Sequence, residues 1–139
     1  MISTVEKVLF LKSIELFSQI PGEDLSQIAL ITDEVQYDEG ETIFSEGDPG
    51  DALFFVIEGH VKVHRDGVEL ATTRERHVFG EMAVLDGELR SASILALSDL
   101  VLLRIHRDDF REILREKPEI AQGIIMVLSR RVRRMLEER

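Results

Sequence analysis

The spacing of apolar positions changes character twice along the chain. Near the N-terminus, Val5, Val8 and Leu9 keep helical spacing, and Leu25, Ile28 and Ala29 form a second stripe after Phe17 and Ile20. Pro21-Gly22 separates the two, and Pro21 suits the first turn of the second helix. From residue 40 the helical period gives way to short β-rich runs at 42–44, 52–57, 60–64, 68–71, 77–79, 91–96 and 100–105. His60-Val61-Lys62-Val63-His64 alternates strictly, with Val61 and Val63 on one face, and Asp66-Gly67 signals a hairpin turn. Seven of the nine glycines (40, 47, 50, 59, 67, 80 and 87) punctuate these runs. So many short strands predict a barrel, a roll or a jelly roll. Helical spacing returns after Arg107. Asp108-Asp109 starts a helix carrying Phe110, Ile113 and Leu114, Pro118 ends it, and a last helix with Glu119 in its first turn runs to the C-terminus. The predicted class is mainly β with flanking helices.

Composition narrows the function classes. A chain of 139 residues supports one domain and can bury a core without staples. With no cysteine, disulfide frameworks and thiolate metal sites are excluded. No apolar run approaches the roughly 20 residues that span a bilayer, and no signal-peptide pattern opens the chain. A cytoplasmic domain without membrane insertion is the expectation. The net charge of −10 divides into −3 over residues 1–33, −9 over 34–104 and +2 over 105–139. So acidic a body argues against a nucleic-acid partner. The cluster Arg130, Arg131, Arg133 and Arg134 reads as a solvated helix face.

Candidate chemistry concentrates between Phe79 and Ser93, in Phe-Gly-Glu-Met-Ala-Val-Leu-Asp-Gly-Glu-Leu-Arg-Ser-Ala-Ser. A helical turn opening at Gly80 offers unpaired backbone N–H groups to an anion, and glycine lets a ligand approach closely. Arg90 supplies a permanently charged planar fork suited to phosphate oxygens. Ser91 adds a hydroxyl, and Ser91 and Ala92 can add amides. An ionised Glu81 only accepts hydrogen bonds, which suits a ribose hydroxyl.

This stretch resembles the phosphate-binding cassette of the cyclic nucleotide-binding domain family, of the catabolite activator protein and protein kinase A regulatory subunit type. The shared pattern is Phe-Gly-Glu, an apolar turn, a loop, and an Arg nine positions after the Glu followed by two small residues. Gly40, Glu46-Gly47-Asp48, Gly59 and Val61 also stand where that family places turns of its roll. The resemblance implies a double-stranded, jelly-roll-like β-roll over 34–106 with the cassette at 79–93. N-terminal helices over 1–33 and two C-terminal helices over 107–139 would flank it, all in a single domain. It further implies a regulatory, non-catalytic module binding cAMP or cGMP through Gly80, Glu81, Met82, Ala83, Arg90, Ser91 and Ala92, without another cofactor. Ser91 favours cAMP, since relatives that bind cGMP often carry Thr there. Leu89 departs from the usual proline, and a looser loop is expected from it. A covalent or non-covalent effector domain is the expected downstream partner.

Competing chemistries fare worse. His60 and His64 share a strand face, but Lys62 stands where a His-x-His metal motif needs histidine, and His77 and His106 are isolated. No nucleophile–base arrangement is recognisable, so neither a metal site nor an enzyme is expected. The remaining rival is a degenerate roll that has lost its ligand and serves as an interaction module. In the last helix, Ala121, Ile125, Leu128, Val132 and Met135 step 4-3-4-3, and Ile120, Ile124 and Val127 form a second face. That spacing allows a weak homodimer through 121–135.

Overall fold

A computed structural model describes residues 2–138, so Met1 and Arg139, the outer ends of the expected flanking segments, lie outside the described residues. The chain divides into two compact units, one formed by its N- and C-terminal helices and the other by Thr32–Asp108.

The central unit is built from eight strands and one short helix. The strands are β1 (Thr32–Tyr37), β2 (Thr42–Phe44), β3 (Ala52–Glu58), β4 (Val61–Arg65), β5 (Val68–Thr73), β6 (Val78–Phe79), β7 (Ser93–Ala96) and β8 (Leu100–His106). They form two four-stranded antiparallel sheets in the orders β1-β8-β3-β6 and β2-β7-β4-β5. The mainly β architecture expected from the punctuated runs is therefore present.

Strand β3 explains why its sequence is a continuous apolar run rather than an alternating one. All of Ala52–Val56 is buried, and alternate members Ala52, Phe54 and Val56 join Val61, Phe79, Ile94, Ala96, Leu100 and Leu102 in one core cluster. A strand covered on both faces needs no polar side. In β4 only one face is fully apolar, and Val61 and Val63 contribute to the same core, as their alternation predicts.

Several boundaries shift for identifiable reasons. Strand β1 went unrecognised because Thr-Asp-Glu-Val-Gln-Tyr is mostly polar; partners in β8, from Thr32↔Ile105 to Tyr37↔Leu100, make it a strand. Pairing of Val61 with Thr73 extends β5 two residues past 71. Ser91 and Ala92 fall outside β7, in the loop that carries Arg90.

In the helical unit, α1 (Thr4–Lys12) begins with a capping box in which the Glu6 amide donates to Ser3 Oγ and the Ser3 amide donates to Glu6 Oε1. A 3-10 turn at Glu15–Phe17 leads to α2 (Gly22–Leu30), where Pro21 occupies the cap rather than the first turn. After β8 come α4 (Arg107–Glu116) and α5 (Pro118–Glu137), with Pro118 at the start of α5 as expected. Helix α5 buries Ile120, Gly123, Ile124 and Val127. A Cβ at Gly123 would lie 3.0 Å from the Gln19 carbonyl oxygen, so this close approach favours glycine. Phe17 and Phe110 meet with ring centroids 6.5 Å apart.

Glu15 ties the turn to α5 by accepting from Arg131 Nε at 3.0 Å and Arg134 Nη2 at 3.1 Å. These bonds hold its carboxyl below the usual carboxylate range. A depressed folded-state pKa adds stability above the unfolded value and loses it as pH falls through the folded one. Because the pair is half exposed, Glu15→Gln should cost no more than about 1 kcal/mol at neutral pH. In urea melts that cost should shrink as pH falls below the ordinary carboxylate range and vanish once pH has passed the lowered folded-state pKa; a cost that persists in strong acid would deny the ion pair its role. No helix among the described residues is long and apolar enough to cross a membrane.

Candidate functional site

The site grows out of the connection that follows β6. Gly80 takes a left-handed conformation at φ 81° and opens the short helix α3 (Glu81–Asp86), which no side chain caps. Gly87 closes α3, again left-handed, with its amide donating to the Ala83 carbonyl at 3.0 Å. The following loop is fixed by backbone bonds to the turn before β3. The Arg90 amide donates to the Asp48 carbonyl at 2.8 Å, and the Gly47 amide donates to the Arg90 carbonyl at 2.9 Å. Ser93 Oγ accepts from the Glu46 amide at 2.8 Å. These bonds anchor the loop, in which Leu89, the departure from the usual proline, is 61% exposed.

Arg90 is the central feature. Its residue is 3% exposed, an unusual burial for a cation. Nη1 donates to the Gly80 carbonyl at 2.8 Å, and Nη2 donates to the Ala52 carbonyl at 2.6 Å. The guanidinium carbon lies 3.9 Å from the centroid of the Phe44 ring, and Asp51 Oδ1 stands 3.6 Å from Nη2. Nε is buried and has no hydrogen-bond partner among the described residues. Burial pushes the guanidinium pKa down, while Asp51, Asp48 and Glu81 push it up. The group stays charged, since arginine does not deprotonate in proteins. A buried, charged donor without a partner is costly unless something supplies an acceptor.

Beside it lies a cavity of about 430 Å³. All seven residues singled out in the sequence, Gly80, Glu81, Met82, Ala83, Arg90, Ser91 and Ala92, line this cavity. Phe44, Val63, Thr73, Val78, Leu89 and Ile94 line it too. Val78 and Leu89 adjoin the singled-out residues in sequence, but Phe44 and Val63 arrive by tertiary pairing: Val63 faces Ile94 across β4 and β7, while Phe44 pairs with Ile94 from β2. The alternation of β4 marked Val63 as inward-facing, but no local signal marked Phe44 or Thr73.

The lining is an apolar body with polar groups at few points. Arg90 is its one cation among the lining residues, against the carboxylates of Glu81, Asp86 and Glu88. Such a balance suits a ligand with one negative charge next to an apolar ring system, and disfavours one carrying several charges. Among the described residues no group of three or more His, Asp or Glu side chains could hold a metal ion. Of the clustered arginines of the last helix, Arg131 and Arg134 bond Glu15.

Comparisons with known proteins bear on this arrangement. Residues 34–117 match the cyclic nucleotide-binding domain family. The chain is 35% identical over 121 residues to the CRP-like cAMP-activated global transcriptional regulator of Mycobacterium tuberculosis, covering 81% of this chain and 54% of that protein. It is 36% identical over 107 residues to the cAMP-dependent protein kinase regulatory subunit of Aspergillus niger, covering 76% of this chain and 26% of the relative. The chain thus spans about half, or less, of the length of these relatives. Among solved structures, the N-terminal domain of a transcriptional regulator from Streptomyces coelicolor superposes with a TM-score of 0.81 at 31% identity, covering 93% of this chain and 94% of that one.

Proposed function

This chain belongs to the cyclic nucleotide-binding domain family, and on that premise we propose that it is a cytoplasmic, non-catalytic sensor that binds cAMP more tightly than cGMP. The observation that carries the proposal is the buried Arg90 guanidinium beside an apolar cavity, with Nε left without a partner among the described residues. A cyclic phosphodiester brings one negative charge and two exocyclic oxygens, which complement a planar fork. The purine supplies the flat apolar surface that Val63, Val78, Leu89 and Ile94 suit. Relatives described as cAMP-activated or cAMP-dependent support the choice of base, as does Ser91. The rival reading, a roll without ligand, accounts for the bonds of Arg90 to the Gly80 and Ala52 carbonyls but supplies no acceptor for Nε.

Glu81, half-buried at the start of α3, reads the sugar in this proposal by accepting from the ribose 2′-hydroxyl. Removing that hydroxyl costs the half-buried carboxylate one hydrogen bond, about 1–3 kcal/mol. Calorimetry with cAMP, cGMP and 2′-deoxy-cAMP is the test. The expected order of affinity is cAMP, then cGMP, with 2′-deoxy-cAMP weaker than cAMP in the natural protein and nearly equal to it in Glu81→Ala. Equal binding of the ribo and deoxy ligands by the natural protein refutes the role of Glu81.

Occupancy is read out, in the same proposal, through the position of α5 and an effector domain joined to or docked on this module. Helix α5 carries a second apolar stripe beside its buried face: Ile125, Val132 and Met135 are exposed, with Ala121 and Leu128 partly so. The stripe has heptad spacing but spans under three heptads and includes the small Ala121, which suits a weak homodimer whose geometry shifts with ligand. Sedimentation velocity with and without cAMP should show concentration-dependent dimers; a monomer under both conditions removes the dimer from the reading.

A further inference from the structure

We infer that Phe44 is the positioning residue of the anion site: its ring holds the Arg90 guanidinium in the plane from which Nε–H faces a bound phosphodiester. The inference deepens the proposed function and rests on it for the identity of the ligand. Arg90 is held in its plane by two backbone carbonyls, those of Gly80 at 2.8 Å and Ala52 at 2.6 Å. Two acceptors on Nη1 and Nη2 fix the direction of the fork but leave the flat face of the group uncovered. Phe44 covers that face, with the guanidinium carbon 3.9 Å from its ring centroid.

The ring is itself fixed. It packs on Phe54 and Phe79 at centroid separations of 6.2 and 6.0 Å, and those two stack on each other at 5.1 Å. The ladder between β2 and β7 shifts register between Thr42 and Phe44, a kind of irregularity that re-aims a side chain. Phe44 also closes on the αL turn, where a Cβ at Gly80 would lie 3.3 Å from Phe44 Cε2. A buried cation stacked on an aromatic face gains attraction that an aliphatic side chain of similar volume does not offer. Lysine in place of Arg90 lacks the planar group that such stacking requires.

The test is a double-mutant cycle by calorimetry with cAMP on the natural chain, Phe44→Leu, Arg90→Lys and the two combined, together with Phe44→Tyr. Phe44→Leu should weaken binding about tenfold. In the Arg90→Lys background the same change should cost less than about twofold, and Phe44→Tyr should bind as the natural chain does. Equal losses in both backgrounds, or none in either, overturn the inference, since a merely structural phenylalanine acts without regard to residue 90. A ligand-free readout separates this failure from that of the proposed function. The Arg90 Nε–Hε resonance should carry a ring-current shift that disappears in Phe44→Leu and survives in Phe44→Tyr. A resonance that does not move on Phe44→Leu overturns the inference even if cAMP binds. A natural chain that binds no cyclic nucleotide but shows the expected shift overturns only the identity of the ligand.

Discussion

Arg90→Ala is expected to weaken cAMP binding by about 30- to 5000-fold, the result of about 2–5 kcal/mol lost when one partner of a buried charge pair is truncated. The effect should reach beyond the ligand. Arg90 donates to the carbonyls of Gly80 and Ala52, so its loss strips partners from two acceptors that join α3 to β3. An unsatisfied buried acceptor costs about 1–3 kcal/mol, and the ligand-free variant should therefore unfold at lower urea concentration than the natural protein. Asp51 lies at 3.6 Å and is exposed, so water takes over its charge with little penalty. The check is calorimetry with cAMP alongside urea melts of the ligand-free proteins. Full affinity in the variant would remove Arg90 from the site, and an unchanged urea midpoint would remove its role in holding the turn.

Gly59→Ala should show the opposite division, a large loss of stability with little change in the site. Gly59 joins β3 to β4 at φ 96°, a left-handed conformation that costs L-residues roughly 1–2 kcal/mol. A Cβ there would meet the Asp99 carbonyl oxygen at 2.5 Å, Ser98 Oγ at 2.6 Å and Leu100 Cδ2 at 2.8 Å. The first of these is backbone, and the turn cannot yield cheaply because it is bonded on both sides. The His60 amide donates to Ser98 Oγ at 3.1 Å, and the Leu97 amide donates to the His60 carbonyl at 3.0 Å. Overpacking adds about 1–3 kcal/mol, for a total of about 2–5 kcal/mol. That is a large share of the roughly 5–15 kcal/mol that stabilises a typical domain. Chemical denaturation measures it, and calorimetry under native conditions should return nearly the natural affinity. A wild-type midpoint in urea would show that the 98–100 turn moves freely.

These two residues also show what could be read from the amino-acid sequence. Gly59 was legible as turn punctuation, because a positive φ needs a residue type and leaves a local mark. Arg90 was legible through its spacing from Glu81 and its small neighbours, since an anion site needs charge, close backbone and a loop in fixed order. All seven residues chosen on those grounds line the cavity. The far side of the cavity was not legible. Phe44, Thr73 and Ile94 come from three different strands and reach the cavity only after β2, β5 and β7 have paired. No local pattern records such pairing. Strand β1 was missed for a related reason: its polar sequence has weak β preference alone, and six consecutive partners in β8 impose the conformation. The carbonyl partners of Arg90 were equally invisible, because a backbone acceptor has no identity in the sequence. An arginine facing phosphate is what the spacing alone implies. The structure adds an arginine already anchored on two sides, whose Nε–H is buried without a partner among the described residues.

The most direct test of the central claim, that the cavity beside Arg90 is a cyclic nucleotide site, is titration of the natural chain with cAMP while the Arg90 Nε–Hε resonance is observed. The account predicts saturable binding of one cAMP per chain with a downfield shift of that resonance, and no such shift with adenosine, which lacks the phosphate. A resonance that stays in place at millimolar cAMP and cGMP would contradict it.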